Sequence, residues 1–418
     1  MARSIPLKQA IACAPSRRTC RSRTASCTGP LAPNGSPMGA AGSRPTSDRG
    51  ACRPELHVVF FRLASAHAAL AGLLWPAARL GLVETARAAL AHREELIFGA
   101  VPMMIAGFTL TAARRWTGRP VRPDPSAALL GAWGAGILAR LSDWPGARAA
   151  SGALPLLLGA ALAIHLLRCR RWRDLTLAAL VTGMGAAALA PASLLDQDSA
   201  FRLAFALGAA LLITLSGRIV PALGRHFLAL PPLIPDARSR RLEAVETAFA
   251  SAALALWAIR PTGGMTALAL TALAAQRLAA VARWRVWPMA RHPRLLAMLA
   301  GALALSVGCA ALAWSAAGGG LATAIGVHLL ALGGYGLLGL AVMASMVHKR
   351  RGAAFAVAPG EVAAYAAMAG ALGLRLAGRG LTWGPAAAGA CWSAAFLLFL
   401  LFTRKATRNL GPKPCQGC

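Results

Sequence analysis

Acidic residues are scarce: 14 Asp and Glu stand against 44 Lys and Arg in 418 residues, a formal charge of +30. Tyrosine is nearly absent, with two residues, and charged residues of both signs make up only 14% of a chain that is 57% hydrophobic. That balance excludes an ordinary soluble domain, in which roughly a quarter of the residues are charged. No Gly-rich nucleotide-binding loop, flavin motif or acid–base pair is present, so no reaction and no enzyme class can be assigned. The basic clusters carry no interleaved aromatics, zinc ligands or helix-turn-helix spacing, which excludes nucleic acid as a partner despite the charge.

What the chain has instead is long apolar blocks rich in Ala, Leu and Gly. Stretches such as 175–195 and 381–402 are almost free of charge, and about 20 residues at ~1.5 Å each cross a ~30 Å hydrocarbon core. Such blocks cannot supply the alternating face of a barrel strand, and lipid cannot satisfy an open backbone, so each block is a helix. The expected fold is all-α, a polytopic membrane protein in a lipid bilayer. Twelve spans are expected, near 56–82, 96–113, 126–141, 152–167, 175–195, 201–217, 242–260, 262–282, 295–317, 320–347, 355–377 and 382–403.

Loop charge supports that count. Loops after even-numbered spans carry Arg114, Arg115, Arg119 and Arg122, then Arg168 to Arg173, Arg218 to Arg241, Arg277 to Arg294 and Lys349 to Arg351. The odd loops are much poorer in Lys and Arg, and several of their basic residues have acidic neighbours such as Glu84 and Asp198. Basic loops stay in the cytoplasm, which puts both termini there. Residues 1–55 are rich in Arg, Ser, Pro and Gly, with Asp48 and Glu55 the only acids, and are expected to be a disordered basic leader. The leader has no apolar h-region; its composition suits an organelle transit peptide or, equally, a start site placed too far upstream of Met38. The bundle is expected over 56–404 and a cytoplasmic tail over 405–418. Cys13, Cys20, Cys27 and Cys52 lie in the leader, and Cys415 and Cys418 form a single terminal CxxC.

Ionisable and metal-binding side chains at membrane depth are costly and mark function. His57, His226, His292 and His348 fall in or beside basic loops, and His165 near the same end of its span. His67 falls inside the first span, His92 just before the second and His328 inside the tenth. By the alternation of loops, His92 and His328 sit toward the same, non-cytoplasmic side. Two imidazoles at similar depth can share haem iron or copper, and they can equally be hydrogen-bonded structural histidines.

Three local sequences carry more information. The first is His92-Arg-Glu-Glu95-Leu-Ile-Phe-Gly99, continued by Gly107-Phe-Thr-Leu-Thr-Ala and Trp116-Thr-Gly118-Arg119-Pro120; the second is Gly217-Arg218-Ile-Val-Pro221; the third runs from His328 through Gly333 and Gly336 to Met343. Together with Phe61-Arg62, Arg171-Trp-Arg-Asp-Leu175 and the stretch from Arg277 to Trp287, they resemble the NnrS family. These are multi-helix bacterial membrane proteins associated with nitric oxide and described as containing haem and copper. The resemblance covers nearly all of the chain after the leader. It implies a bacterial inner-membrane location and a part in nitric oxide or nitrosative-stress handling. It also points to His92 and His328 as haem or copper ligands, with Glu95 as a partner that orients His92.

This chain departs from the family pattern at several positions. Glu94 replaces the second of two family histidines, Leu299 and Ala302 stand where a histidine and a tyrosine are expected, and Lys349-Arg350-Arg351-Gly352 replaces a histidine-containing motif, leaving His348 displaced. Ala222-Leu223-Gly224 follows Pro221 in place of Phe-Thr. The expectation is therefore a divergent member with an altered or lost metal site. Two other function classes fit the composition. One is a secondary transporter with twelve helices and Glu361 as its coupling acid; the other is a cofactor-free scaffold or sensor.

Overall fold

The computed structural model describes residues 56–142, 144–191, 193–231, 237–320, 322–350, 355–378 and 381–408. The leader with its four cysteines and the Cys415/Cys418 pair lie outside the described residues. Among the described residues every regular element is helical, as the apolar blocks require when no water is present to satisfy a strand edge.

The described residues form twelve consecutive rods: α1 (His57–Arg79), α2 (Thr85–Thr117), α3 (Ser126–Leu141), α4 (Ala147–Arg168), α5 (Leu175–Leu189), α6 (Gln197–Phe227), α7 (Ser239–Ile259), α8 (Gly264–Arg283), α9 (Pro293–Ala316), α10 (Thr323–His348), α11 (Pro359–Ala377) and α12 (Gly384–Arg404). Each falls on one expected span. Nine of these described rods are long and apolar enough to cross a bilayer. The other three are α3 and α5, with 16 and 15 residues, and α11, which carries Glu361 and Arg375.

Two rods exceed the span that hydropathy predicts. α2 has 33 residues and α6 has 31, about 45–50 Å of helix. Their ends, Thr85 to Glu94 and Arg218 to Phe227, continue the helix past the apolar window; the first is rich in the helix formers Ala, Arg, Leu and Glu, while the second runs on through Pro221 and Gly224. α2 stops where Gly118 takes φ 70°, a left-handed conformation that glycine adopts without a Cβ clash. Thr117 Oγ1 then accepts the Arg119 N–H at 3.2 Å. α6 starts at Asp196, whose carboxylate accepts the Ser199 N–H at 2.9 Å and the Ser199 hydroxyl at 2.6 Å. Those bonds, the hydroxyl's first, hold the Asp196 carboxyl below the usual carboxylate range.

Chain neighbours pack against one another along most of the bundle, and α12 returns to α1. There Trp392 Nε1 donates to the Ala68 carbonyl at 2.8 Å and Ser393 Oγ to that of Ala69 at 2.7 Å. α4 and α5 meet backbone to backbone at Gly152 and Gly185, where a Cβ on either residue would lie 2.6–2.7 Å from the carbonyl oxygen of the other. The most deeply enclosed rods are α2, α9 and α10, with 78%, 72% and 78% of their apolar windows buried, against 33% for α7 and 39% for α8.

Within two of the enclosed rods the helix widens. Glu95–Ala100 of α2 and Leu329–Leu338 of α10 run as π-helix. An i→i+5 turn is rarer than an α-turn and is frequently found at functional sites. Here it begins three residues after His92 and one residue after His328.

Candidate functional site

His92 and His328 line one cavity of about 280 Å³ between α1, α2, α6, α10, α11 and α12. Its walls are mostly apolar, with Ile97, Phe205, Leu332 and Trp392 among them, and Arg93 and Arg375 complete the rim. His92 Nδ1 lies 3.2 Å from the Ala71 carbonyl oxygen and His328 Nδ1 lies 2.6 Å from that of Ala324. A carbonyl only accepts, so in the neutral ring Nδ1 holds the hydrogen and Nε2 keeps its lone pair. Trp75 packs edge-on to His92 with ring centroids 5.9 Å apart. Arg93 is turned away from the imidazoles: its guanidinium stacks over Phe201 at 5.0 Å and donates to Asp198 at 2.7 Å.

The structure does not bring Glu95 to His92. Glu95 Oε2 accepts from His67 Nε2 at 2.6 Å, and Arg140 grips both carboxylate oxygens at 2.8 Å. Trp133 Nε1 donates to His67 Nδ1 at 3.0 Å. Because an indole N–H only donates, the His67 proton is on Nε2 and both ring nitrogens are committed. The Glu95 side chain instead faces α1 and α3. Glu95 is thus the centre of a polar knot tying α1, α2, α3 and, through Arg140 and Ser151 at 2.5 Å, α4.

The substituted family positions have other partners. Glu94 accepts from Gln197 at 3.3 Å, while Leu299 and Ala302 are buried in the apolar core. His348 Nδ1 contacts the Ala344 carbonyl at 3.0 Å, and its Nε2 lies 3.7 Å from Glu361. Glu361 is fully buried; Arg294 binds its two oxygens at 2.5 and 2.8 Å and the Tyr365 hydroxyl donates to it at 2.7 Å. Among the described residues, no group of three or more His, Cys, Asp or Glu side chains could hold a metal ion.

The remaining motif residues lie at the Arg-rich end of the bundle. Gly107 lets α2 close on the Phe61 ring of α1, since a Cβ there would come within 2.8 Å of it. Trp116, Gly217, Arg218 and Pro221 line a second cavity of about 690 Å³. There Arg218 donates to Asp174 at 2.8 Å and also to Glu243. Sequence reasoning missed Asp174, Glu243 and Arg277 as residues of that cavity. Asp174 and Arg277 lay inside quoted stretches, but only packing shows which side chains they meet.

A family model described as NnrS protein matches residues 57–407, a range that takes in all twelve rods. No curated protein matches the chain. The matched region takes in the His92 and His328 rods and the Gly217–Pro221 motif, and the chain belongs to the NnrS family.

Proposed function

We propose that this membrane protein acts in nitric oxide or nitrosative-stress handling in the bacterial inner membrane, with the His92–His328 cavity holding copper or haem iron. The observation behind this reading is that two imidazoles, 236 positions apart in sequence, line the same cavity with their Nδ1 atoms on backbone carbonyls. The donor chemistry fits: neutral Nε2 is the usual imidazole ligand to copper and haem iron, and a hydrogen bond from Nδ1–H raises its basicity. At about 280 Å³ the space is near the lower end of ligand pockets, ~300–1,000 Å³. It suits a metal ion with a diatomic molecule beside it, and a haem ring would need the wall side chains to move outward. A metal so held would supply a coordination position for nitric oxide. The protein's own part is to orient the imidazoles through Ala71 and Ala324, to keep water out with Phe205, Leu332 and Trp392, and to set positive charge nearby with Arg375.

The test is an absorption spectrum of detergent-purified protein, oxidised and dithionite-reduced, with copper and iron analysis of the same sample. A Soret band, or stoichiometric copper, that is lost in His92→Ala and in His328→Ala is the expected result. A flat spectrum without copper, from cells grown with ample haem and copper, sinks the reading and leaves the scaffold or transporter in front.

A further inference from the structure

The cavity at the Arg-rich end is built from more positive than negative charge, and its ion pairs can be assigned individually. Six arginines line it, Arg171, Arg173, Arg218, Arg225, Arg277 and Arg283, against the carboxylates Asp174, Glu243 and Glu246. Asp174 is taken by Arg218 at 2.8 Å and Arg171 at 3.3 Å, Glu243 by Arg218 and Arg173, and Glu246 by Arg283 at 3.2 Å. Arg225 donates to the Pro231 carbonyl at 2.8 Å.

Arg277 stands apart from these pairs. It is the most buried arginine of the cavity, 3% exposed, on α8 about two turns inside Arg283. Its Nη2 donates to Ser216 Oγ at 3.1 Å, and its guanidinium lies 5.9 Å from the Trp284 ring centroid. Its Nε has no hydrogen-bond partner among the described residues. Gly217, on the facing helix, leaves its Cβ position 3.7 Å from Nη1. Glu246, already paired with Arg283, reaches Arg277 only through space, and a buried guanidinium hydrogen-bonded to a neutral hydroxyl rather than to a carboxylate is costly unless something anionic joins it.

We infer that this cavity binds an oxyanion of the phosphate class, with Arg277 as its principal ligand. Two phosphate oxygens would accept from Nε and from the Nη2 hydrogen on the same edge of the guanidinium, the fork by which Arg294 holds Glu361, while the other Nη2 hydrogen serves Ser216. The same chemistry is offered by a soluble phosphate and by the phosphodiester of a lipid headgroup. The inference does not rest on the cofactor reading, because the histidine cavity and this one share no residue.

The test is thermal unfolding of detergent-purified full-length protein, titrated with inorganic phosphate at ionic strength held constant with chloride, and separately with short-chain phosphatidylglycerol. A saturable rise in melting temperature is expected in one of the two arms. It should need about tenfold or more ligand in Arg277→Gln, the scale of one lost charge-assisted contact, and less of an increase in Arg277→Lys, which keeps the charge but not the fork. A response to inorganic phosphate identifies a soluble anion; a response to phosphatidylglycerol alone identifies a headgroup. His92→Ala and His328→Ala should respond as the wild type does, which separates this site from the metal cavity. No saturable response in either arm, or an unchanged midpoint in Arg277→Lys and Arg277→Gln, overturns the inference. If Arg277→Gln does not fold, the wild-type titrations and the Arg277→Lys midpoint still decide.

Discussion

Glu95 follows His92 by three residues, a spacing that puts both on one face of an α-helix, yet its carboxylate is engaged by His67 and Arg140. Residues three apart on an α-helix still differ by about 60° around its axis, so Glu95 can face α1 and α3 while His92 faces the cavity. Glu95 therefore stabilises the bundle. Glu95→Gln keeps the shape and removes the charge, leaving Arg140 without its counter-ion. Chemical or thermal unfolding should show a loss of about 1.5–3 kcal/mol, the worth of a charge-assisted hydrogen bond in a part-buried site. Metal content at the His92–His328 cavity should be unchanged in the same variant, and a parallel loss of metal would restore Glu95 to the site. Glu361 on α11 is likewise fully buried, and its bonds to Arg294 and Tyr365 tie α9 to α11.

At the scale of elements, the close approach of α4 and α5 is written in two small residues. Gly152 and Gly185 face each other so closely that any Cβ would meet the opposing carbonyl, the arrangement by which membrane helices gain van der Waals contact when lipid offers no hydrophobic drive. Gly185→Val should force the two helices apart and cost about 1–3 kcal/mol, the usual scale of overpacking, read as a fall in melting temperature. A melting temperature unchanged from wild type would show that the pair does not pack as described. α5 itself has only 15 residues, so it depends on such contacts more than α6, which is twice as long. The π-segment of α10 is legible only in retrospect. Leu-Ala-Leu-Gly-Gly-Tyr-Gly is glycine-rich, and glycines permit close helix approach as readily as they permit widened turns, so the residues do not choose between the two.

For the whole molecule, the two cavities lie toward opposite ends of the bundle. One is edged by the loops that are poor in Arg, through Trp75, Arg375 and Pro385; the other is edged by Arg171, Arg173 and Arg283. If basic loops stay inside, the histidine cavity opens toward the far side and the arginine cavity toward the cytoplasm. Alkaline phosphatase fused after Arg119 or after Arg404 should therefore be inactive, and fused between Leu80 and Glu84 it should be active. The reverse pattern would invert the orientation and the assignment of both cavities.

The sequence by itself determined the helical class, the twelve rods and the common end of the bundle to which His92 and His328 belong, because hydropathy and loop charge act locally and are read one segment at a time. It did not determine the ends of α2 and α6, since a polar helical turn and a polar loop have similar composition. Tertiary structure alone decided which side chains meet. It placed His92 and His328 in one cavity, gave Glu95 to His67 and Arg140, closed α12 onto α1 and left Arg277 beside a serine. Each of these pairings joins residues far apart in the chain, and in a low-dielectric interior a buried charge or donor takes whichever partner the packing of rods brings within hydrogen-bond reach.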